Sequence, residues 1–498
     1  MKDYSSLQNG SDIRGVALEV PGGKPVNLTL GAARDIGAAF ARWLAKKYQK
    51  AACELRIAIG RDSRVTGEAV SRALSEGIAL AGAMPESTGL ASTPAMFMCC
   101  AEGPYDGGIM VTASHLPYER NGMKFFTKES GLEKADIKEI LADAETKSEA
   151  AECDVMTPYI DGLKNKIVSA LGSDKPFSGM KIIVDAGNGA GGFFAERLLS
   201  PLGADITGSL YLEPDGRFPN HQPNPENKEA MDCITKAVID NGADMGIVFD
   251  TDVDRAGAVL PDGKGGALAL DRNRLIAMMT AILAKQYGPI TVVTDSVTST
   301  GLNEFIEGLG CRHHRFKRGY RNVINEAKRL MAEGENAIFA METSGHGALY
   351  ENYFLDDGAY IIVKLLIELV EAKREGKELT DLIKDLREPA ESFEARLPVN
   401  SPDFVPITEK VLDMVERHFA SLEGFGIVPN NYEGVRVNAD AEHGNGWFLI
   451  RRSLHDPLMP TNLESDEAGG VKLIAKALYD CLKTVPELDL ASLEALTK

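Results

Sequence analysis

LRIAIGRDSRVTG (55–67), KIIVDAGNGAGG (181–192) and ITVVTDSVTSTG (290–301) share one layout. A short β-branched apolar run ends in a loop rich in Gly, Asp and Ser, and an amphipathic helical stretch follows. Runs of this kind read as strands of parallel α/β units whose functional loops lie at the strand C-terminal ends. The three segments lie somewhat more than a hundred residues apart, so the pattern predicts three similar α/β domains in series.

Helical patterns fill the intervals. GAARDIGAAFARWLAKKY (31–48) places Ile36, Phe40, Trp43 and Leu44 on one face and its basic residues late, where they complement the helix dipole. The stretch 134–154 is polar and charged, which reads as a solvated helix or a connector. After the charge-dense helical run 362–389, LPVNSPDFVP (397–406) changes the texture, and the tail reads as a separate α+β module. The expected domains are 1–165, 166–275, 276–390 and 391–498.

The 498 residues include 54 Lys+Arg and 73 Asp+Glu, a formal charge of −19, which argues against a broad basic surface for nucleic acid or anionic lipid. Apolar residues (44%) and charged residues (26%) are near globular averages, while 49 Gly point to many tight loops. The N-terminal stretch has no apolar signal region, and no run approaches the ~18–20 apolar residues that span a bilayer. The expectation is a cytoplasmic protein with neither a nucleic-acid nor a membrane partner. Seven scattered cysteines without a C-x-x-C spacing argue against a disulfide framework or a structural zinc site. The adjacent Cys99-Cys100 read as packed side chains.

Two loops carry candidate chemistry. GADMGIVFDTDVDRAG (242–257) runs an apolar strand straight into Asp250, Asp252 and Asp254, with Arg255 beside them. Three carboxylates on alternate residues repel one another, and a hard divalent cation with oxygen ligands, Mg²⁺ first, relieves the repulsion. A solvated acidic turn is the ordinary alternative, but it is not usually flanked by GIVF and AGAVL. An EF-hand is excluded, because its position 6 is Arg255 and its position 12 is Pro261.

YDGGIMVTASHLPYERNGMKFF (105–126) places Ser114 and His115 after another strand-like run. Neither G-x-S-x-G nor a third triad member accompanies them, so hydrolase chemistry is weakly supported. A second reading has Ser114 carry a phosphoryl group, its charge of about −2 offset by Lys124 and the metal loop. Alone, TASH (112–115) reads as an ordinary turn rather than an active site.

In order along nearly the whole chain, these pieces resemble the α-D-phosphohexomutases, the family of phosphoglucomutase, phosphomannomutase and phosphoglucosamine mutase. The phosphoserine loop T-A-S-H-N-P…N-G-x-K is similar to Thr112–Lys124, with Leu116 in place of Asn. The metal loop D-G-D-x-D-R is similar to Asp250–Arg255, with Thr251 in the Gly position. The sugar loop G-E-x-S-G-H resembles Met341–His346, followed by Asp356-Asp357-Gly358. Lys317-Arg318-Gly319, Asp12-Ile13-Arg14-Gly15 and Gly60–Arg64 resemble the family's K-x-G, D-I-R-G and G-x-D-x-R elements. The last-domain phosphate loop R-x-S-G/N-T-x-P resembles Arg451–Pro457, with Leu454 and His455 departing from it.

The resemblance implies four domains around a central active-site cleft and an intramolecular phosphotransferase. Phosphorylated Ser114 would convert hexose 1-phosphate to hexose 6-phosphate through a hexose 1,6-bisphosphate, which also serves as activator. Asp250, Asp252, Asp254 and the Ser114 phosphate would hold Mg²⁺. Lys124, Arg14 and His346 would manage protons and charge at the reacting oxygens. Glu342 and Ser344 would meet sugar hydroxyls, and Lys317, Arg318, Arg451, Ser453 and His455 the phosphosugar. The S-G-H ending fits the phosphomannomutase/phosphoglucomutase branch, with phosphoglucosamine mutase as runner-up.

Two alternatives stand beside this. An apolar run followed by Asp250-x-Asp252 also resembles haloacid-dehalogenase-type phosphatases, in which Asp250 would be the nucleophile. The departures at Leu116, Thr251, Met341 and Leu454 would also fit a phosphosugar-binding paralogue that has lost turnover.

Overall fold

A computed structural model describes residues 4–144, 151–152, 154–270, 272–401, 403–453 and 456–498. The chain divides into two compact units, Met1–Asp271 with Ser344–Asp381, and Arg272–Thr343 with Leu382–Lys498.

The first unit opens with strands β1 (Gln8–Asn9), β2 (Asp12–Val16), β3 (Arg56–Arg61), β4 (Met84–Leu90), β5 (Gly107–Val111), β6 (Arg120–Phe126) and β7 (Ala151–Glu152), in the order β1-β2-β6-β5-β3-β4-β7. β3 runs parallel to β4 and β5, whereas β6 is antiparallel to both of its neighbours. Helix α1 (Leu30–Tyr48) starts at Thr29, whose side chain accepts from the Ala32 amide, and ends at Gln49 in the left-handed region. Its Ile36, Phe40 and Leu44 join Ile57, Ile59, Ile109, Val111 and Phe125 in one core, as the helical spacing predicts. Helix α2 (Gly67–Leu80) lies directly on α1, because a Cβ at Gly77 would stand 1.9 Å from the Arg34 carbonyl. Helix α4 (Lys134–Ala142) joins this layer through Ile137, Ile140 and Leu141, whereas α3 (Thr93–Ala101) covers the other face of the sheet, where a Cβ at Gly108 would meet Cys100 and Met96.

A second sheet, in the order β11-β10-β9-β8, comprises β8 (Ile182–Asp185), β9 (Met245–Phe249), β10 (Ala256–Pro261) and β11 (Ala267–Leu270), with α5 (Met156–Leu171) and α6 (Lys228–Asn241) in the same unit. Only β8 and β9 are parallel here; β9, β10 and β11 form an antiparallel meander. Both 112–119 and 250–255 are turns between antiparallel strands, β5–β6 and β9–β10. The return through β6 sets Lys124 opposite Met110, next to the turn that carries Ser114.

In the second unit, α7 (Arg272–Tyr287), β12 (Thr291–Thr294), α8 (Thr300–Gly308), β13 (Arg312–Arg315), α9 (Tyr320–Ala332) and β14 (Phe339–Met341) build a parallel β13-β12-β14 arrangement. The chain then re-enters the first unit as the hairpin β15 (Gly347–Leu349) and β16 (Leu355–Asp356) and helix α10 (Gly358–Arg374). The tail returns to the second unit as an antiparallel sheet, β17-β21-β20-β19-β18. Its strands are β17 (Glu391–Pro398), β18 (Phe425–Ile427), β19 (Val435–Ala439), β20 (Gly446–Ile450) and β21 (Leu458–Ser465), packed with α11 (Val405–Phe419) and α12 (Gly470–Leu482). Buried Arg436 ties this sheet to the β12 loop: it donates to the carbonyls of Ser296 (2.8 Å) and Thr298 (3.0 Å) while its guanidinium lies 3.6 Å from the Trp447 ring centre.

Among the described residues no helix is long and apolar enough to cross a membrane. Cys53, Cys99, Cys100, Cys233, Cys311 and Cys481 are free thiols, and Cys99 and Cys100 are buried; Cys153 lies outside the described residues.

Candidate active site

Ser114 adopts φ +53°, a left-handed conformation rare for a residue with a Cβ, and is buried at the end of the β5 turn. Its Oγ lies 3.3 Å from Asp250 Oδ2 and 3.3 Å from the Arg255 Nη2 donor. Neutral His115 accepts from Arg255 through Nδ1 at 2.7 Å; burial, with Arg255 next, pushes its imidazole down to about 2.

Asp250, Asp252 and Asp254 are all buried and offer oxygens within 4.8 Å of one another. Lys124 reaches across from β6, 3.0 Å from Asp252 Oδ2 and hydrogen-bonded to Asp254. Burial and the two sister carboxylates drive Asp250 well above the usual carboxylate range. Burial also acts to raise Asp254, but Lys124, His346 and Arg255 outweigh it and hold the group low. Thr93, at the start of α3, donates to Asp252 Oδ2 at 2.6 Å, and its amide donates to the Asp252 carbonyl. The buried oxygens Asp252 Oδ1 and Asp254 Oδ1 accept no hydrogen bond. Three converging carboxylates with unsatisfied buried oxygens fit a hard divalent cation.

His346 belongs to this cluster through the chain's second visit to the first unit. It bridges to Arg255 in an antiparallel pair, and its Nδ1 lies 2.5 Å from Asp356 Oδ2 and 3.7 Å from Asp254 Oδ1. Burial disfavours the imidazolium, yet Asp356, helped by Asp254, raises its pKa. Gly358 follows closely, since a Cβ there would stand 2.6 Å from the Arg255 carbonyl carbon. Arg14, on β2, pairs with Asp12 at 2.8 Å, and its charge reaches His115. Ser344 is buried in this unit.

The second unit gathers the remaining expected residues. The Arg318 amide donates to Glu433 Oε2 at 3.1 Å, its guanidinium lies 3.6 Å from Asp295, and Arg451 lies 3.9 Å from Glu433 Oε1. Burial lowers the Arg451 pKa. Glu342 accepts from the Gly319 amide at 2.5 Å, and exposed Lys317 extends beside Phe316. The Ser453 hydroxyl accepts from the Asp456 amide at 3.2 Å. His455 and Leu454 lie outside the described residues.

Thr93 and Glu433 have no signal in the sequence, because they act on partners distant along the chain, Thr93 on Asp252 and Glu433 on Ser296 and Arg318. Asp356 stands in a quoted motif, but its partnership with His346 emerges only from the fold.

Residues 5–151 match the family description "Phosphoglucomutase/phosphomannomutase, alpha/beta/alpha domain I", residues 157–264 match its domain II and residues 271–389 its domain III. The chain belongs to the α-D-phosphohexomutase family. It is 28% identical over 445 residues to the phosphomannomutase/phosphoglucomutase of Pseudomonas syringae pv. tomato, covering 88% of this chain and 89% of that one. It is 29% identical over 486 residues to the phosphoglucomutase of Neisseria gonorrhoeae, covering 96% of each. The crystal structure of a phosphoglucomutase/phosphomannomutase family protein from Burkholderia thailandensis superposes with a TM-score of 0.77 at 25% identity, covering 97% of this chain and 98% of that one. The span matched to domain I contains Ser114 and Lys124, that of domain II Asp250–Arg255, and that of domain III Glu342–His346.

Proposed function

We propose that this chain interconverts hexose 1-phosphate and hexose 6-phosphate of glucose, mannose or both, with Ser114 as the phosphoryl carrier and a hexose 1,6-bisphosphate as the intermediate. The observation that carries this is the Ser114 hydroxyl held 3.3 Å from both Asp250 and Arg255, beside the buried carboxylate trio.

Asp250, Asp252 and Asp254 would hold Mg²⁺, which when bound draws charge from the oxygens of a transferring phosphoryl group. Arg255 offers a guanidinium fork to the same oxygens. Lys124 neutralises the carboxylates and stands beside the turn that carries Ser114. His346, oriented by Asp356 at Nδ1, is assigned the proton exchange with a sugar hydroxyl, while Arg14 adds positive charge. By the family resemblance, Arg318, Lys317, Arg451 and Ser453 are assigned to the unreacted phosphate, and Glu342 and Ser344 to sugar hydroxyls.

The test is a coupled assay on the 1-phosphates of glucose, mannose and glucosamine, primed with glucose 1,6-bisphosphate, with released phosphate measured in parallel. Interconversion of the glucose or mannose phosphates without phosphate release, abolished in Ser114→Ala, is the expected result. Net phosphate release that survives Ser114→Ala would overturn it.

A further inference from the structure

Arg64 is among the largest fully buried side chains, at 2% exposure, and every N–H of its guanidinium is used. Nε donates to Asp62 Oδ2 at 3.2 Å. Nη1 donates to the carbonyls of Pro117 (2.9 Å) and Arg120 (3.0 Å), and Nη2 to those of Leu116 (2.7 Å) and Ser114. Asp62 closes the circuit from the other side: its Oδ2 accepts from the Thr112 hydroxyl at 2.7 Å, and Thr112 Oγ1 accepts from the Ser114 amide at 2.9 Å. Both polar atoms of the Ser114 main chain therefore belong to one buried network. The Phe218 ring covers the guanidinium at 5.5 Å.

A non-glycine residue in the left-handed region costs of order 1–3 kcal/mol and persists only where its surroundings over-determine it. Here the over-determination is visible, and it acts on the residue whose hydroxyl faces Asp250 and Arg255. We propose that Arg64 and Asp62 form a main-chain clamp that positions Ser114 for phosphoryl transfer, so that they set the rate at which Ser114 gains and loses its phosphoryl group rather than the affinity for the sugar phosphate. The inference rests on the reading of Ser114 as phosphoryl carrier. In the step concerned, the P–O bond to the sugar oxygen breaks as Ser114 Oγ bonds to phosphorus, and the serine proton ends on the released sugar hydroxyl. Neither clamp residue touches the reacting atoms; both act through the peptide of Ser114. A lysine cannot replace the fork, because an ammonium has three donors at one point where the site presents four carbonyls and a carboxylate.

The experiment compares full-length wild type, Arg64→Lys, Arg64→Ala and Thr112→Val. Single-turnover phosphorylation of Ser114 by glucose 1,6-bisphosphate is read by quenched-flow mass spectrometry, alongside kcat, KM and thermal melting. Both Arg64 variants should lose about 100-fold in the phosphorylation rate and in kcat, with KM within about threefold of wild type. Millimolar guanidinium ion should restore part of the rate of Arg64→Ala and none of that of Arg64→Lys. Thr112→Val, which removes one hydroxyl and leaves the arginine in place, should lose about tenfold and secures the test if the Arg64 variants do not fold. Phosphorylation rates of folded variants equal to wild type, or a KM rising in step with the loss of kcat, would overturn the clamp. If wild type itself takes no phosphoryl group on Ser114, the carrier reading falls and the clamp falls with it; a wild type that is phosphorylated while its variants match it refutes the clamp alone.

Discussion

Asp357 should make the first unit less stable as pH rises, and Asp357→Asn should remove that loss. The carboxylate caps α10: Oδ1 accepts from the Tyr360 amide at 2.9 Å and from the Tyr159 hydroxyl at 2.8 Å, and Oδ2 accepts from Asn352 at 3.0 Å. These bonds favour the anion, yet burial dominates and pushes the pKa from 3.8 to about 6. A group raised in the folded state contributes stability that is complete below its unfolded pKa and is lost as pH passes the folded one. The total is about 3 kcal/mol, of which about half disappears between pH 5 and pH 8. Asparagine keeps Oδ1 as the acceptor for Tyr360 and Tyr159, and Asn352 can turn its amide to meet the new N–H. The cap survives while the titration vanishes. Urea titrations at about pH 5 and about pH 8, followed by pulsed hydrogen exchange on peptides of α5 and α10, should show Asp357→Asn gaining ~1.5 kcal/mol on wild type across that interval. Asp357→Ala, which strips the cap and leaves three buried donors unpaired, should instead cost about 3–5 kcal/mol at about pH 5 and roughly 1.5 kcal/mol less at about pH 8, because it too removes the titrating carboxyl. A difference between Asp357→Asn and wild type that does not move with pH, or that moves the other way, would refute the reasoning.

Arg436→Met should destabilise the second unit by about 3 kcal/mol, because two buried carbonyls lose their donor and Trp447 loses its cation; a loss under about 1 kcal/mol in chemical denaturation would count against the buried tie. Calorimetric titration with Mg²⁺ alone should show binding weakened at least tenfold, about 1.4 kcal/mol, by Asp252→Asn, whereas equal binding by wild type and variant would remove the trio as the cation site.

The parallel strands and the acidic loop are legible in the sequence because their signals are local. An apolar run ending in alternate aspartates states both a strand and a charge problem, and β9 with the buried Asp250, Asp252 and Asp254 follows directly. The spacing of Ile36, Phe40 and Leu44 likewise announces the buried face of α1. What escapes is carried by contacts without local pattern. Arg64 meets carbonyls more than fifty positions along the chain, and nothing in GRDSR distinguishes a guanidinium turned inward from one in solvent. Thr93 and Asp252 meet across a still longer separation. The turn character of the loops 112–119 and 250–255 is equally hidden, since an apolar run after a loop reads the same whether the chain returns antiparallel or crosses over. The division of the chain is also not linear: residues 344–381 rejoin the first unit, so His346 and Asp356 stand with Asp254 while Glu342, four residues before His346, belongs to the second.

The most direct test of the phosphoserine account is to find where the phosphoryl group goes. Wild-type protein mixed with radiolabelled glucose 1,6-bisphosphate, quenched and digested, should carry the label on the peptide that contains Ser114, and unlabelled glucose 6-phosphate should chase it off as bisphosphate. Label recovered instead as an acid-labile acyl phosphate on Asp250, or no label on Ser114 in protein that still interconverts the sugar phosphates, would contradict it.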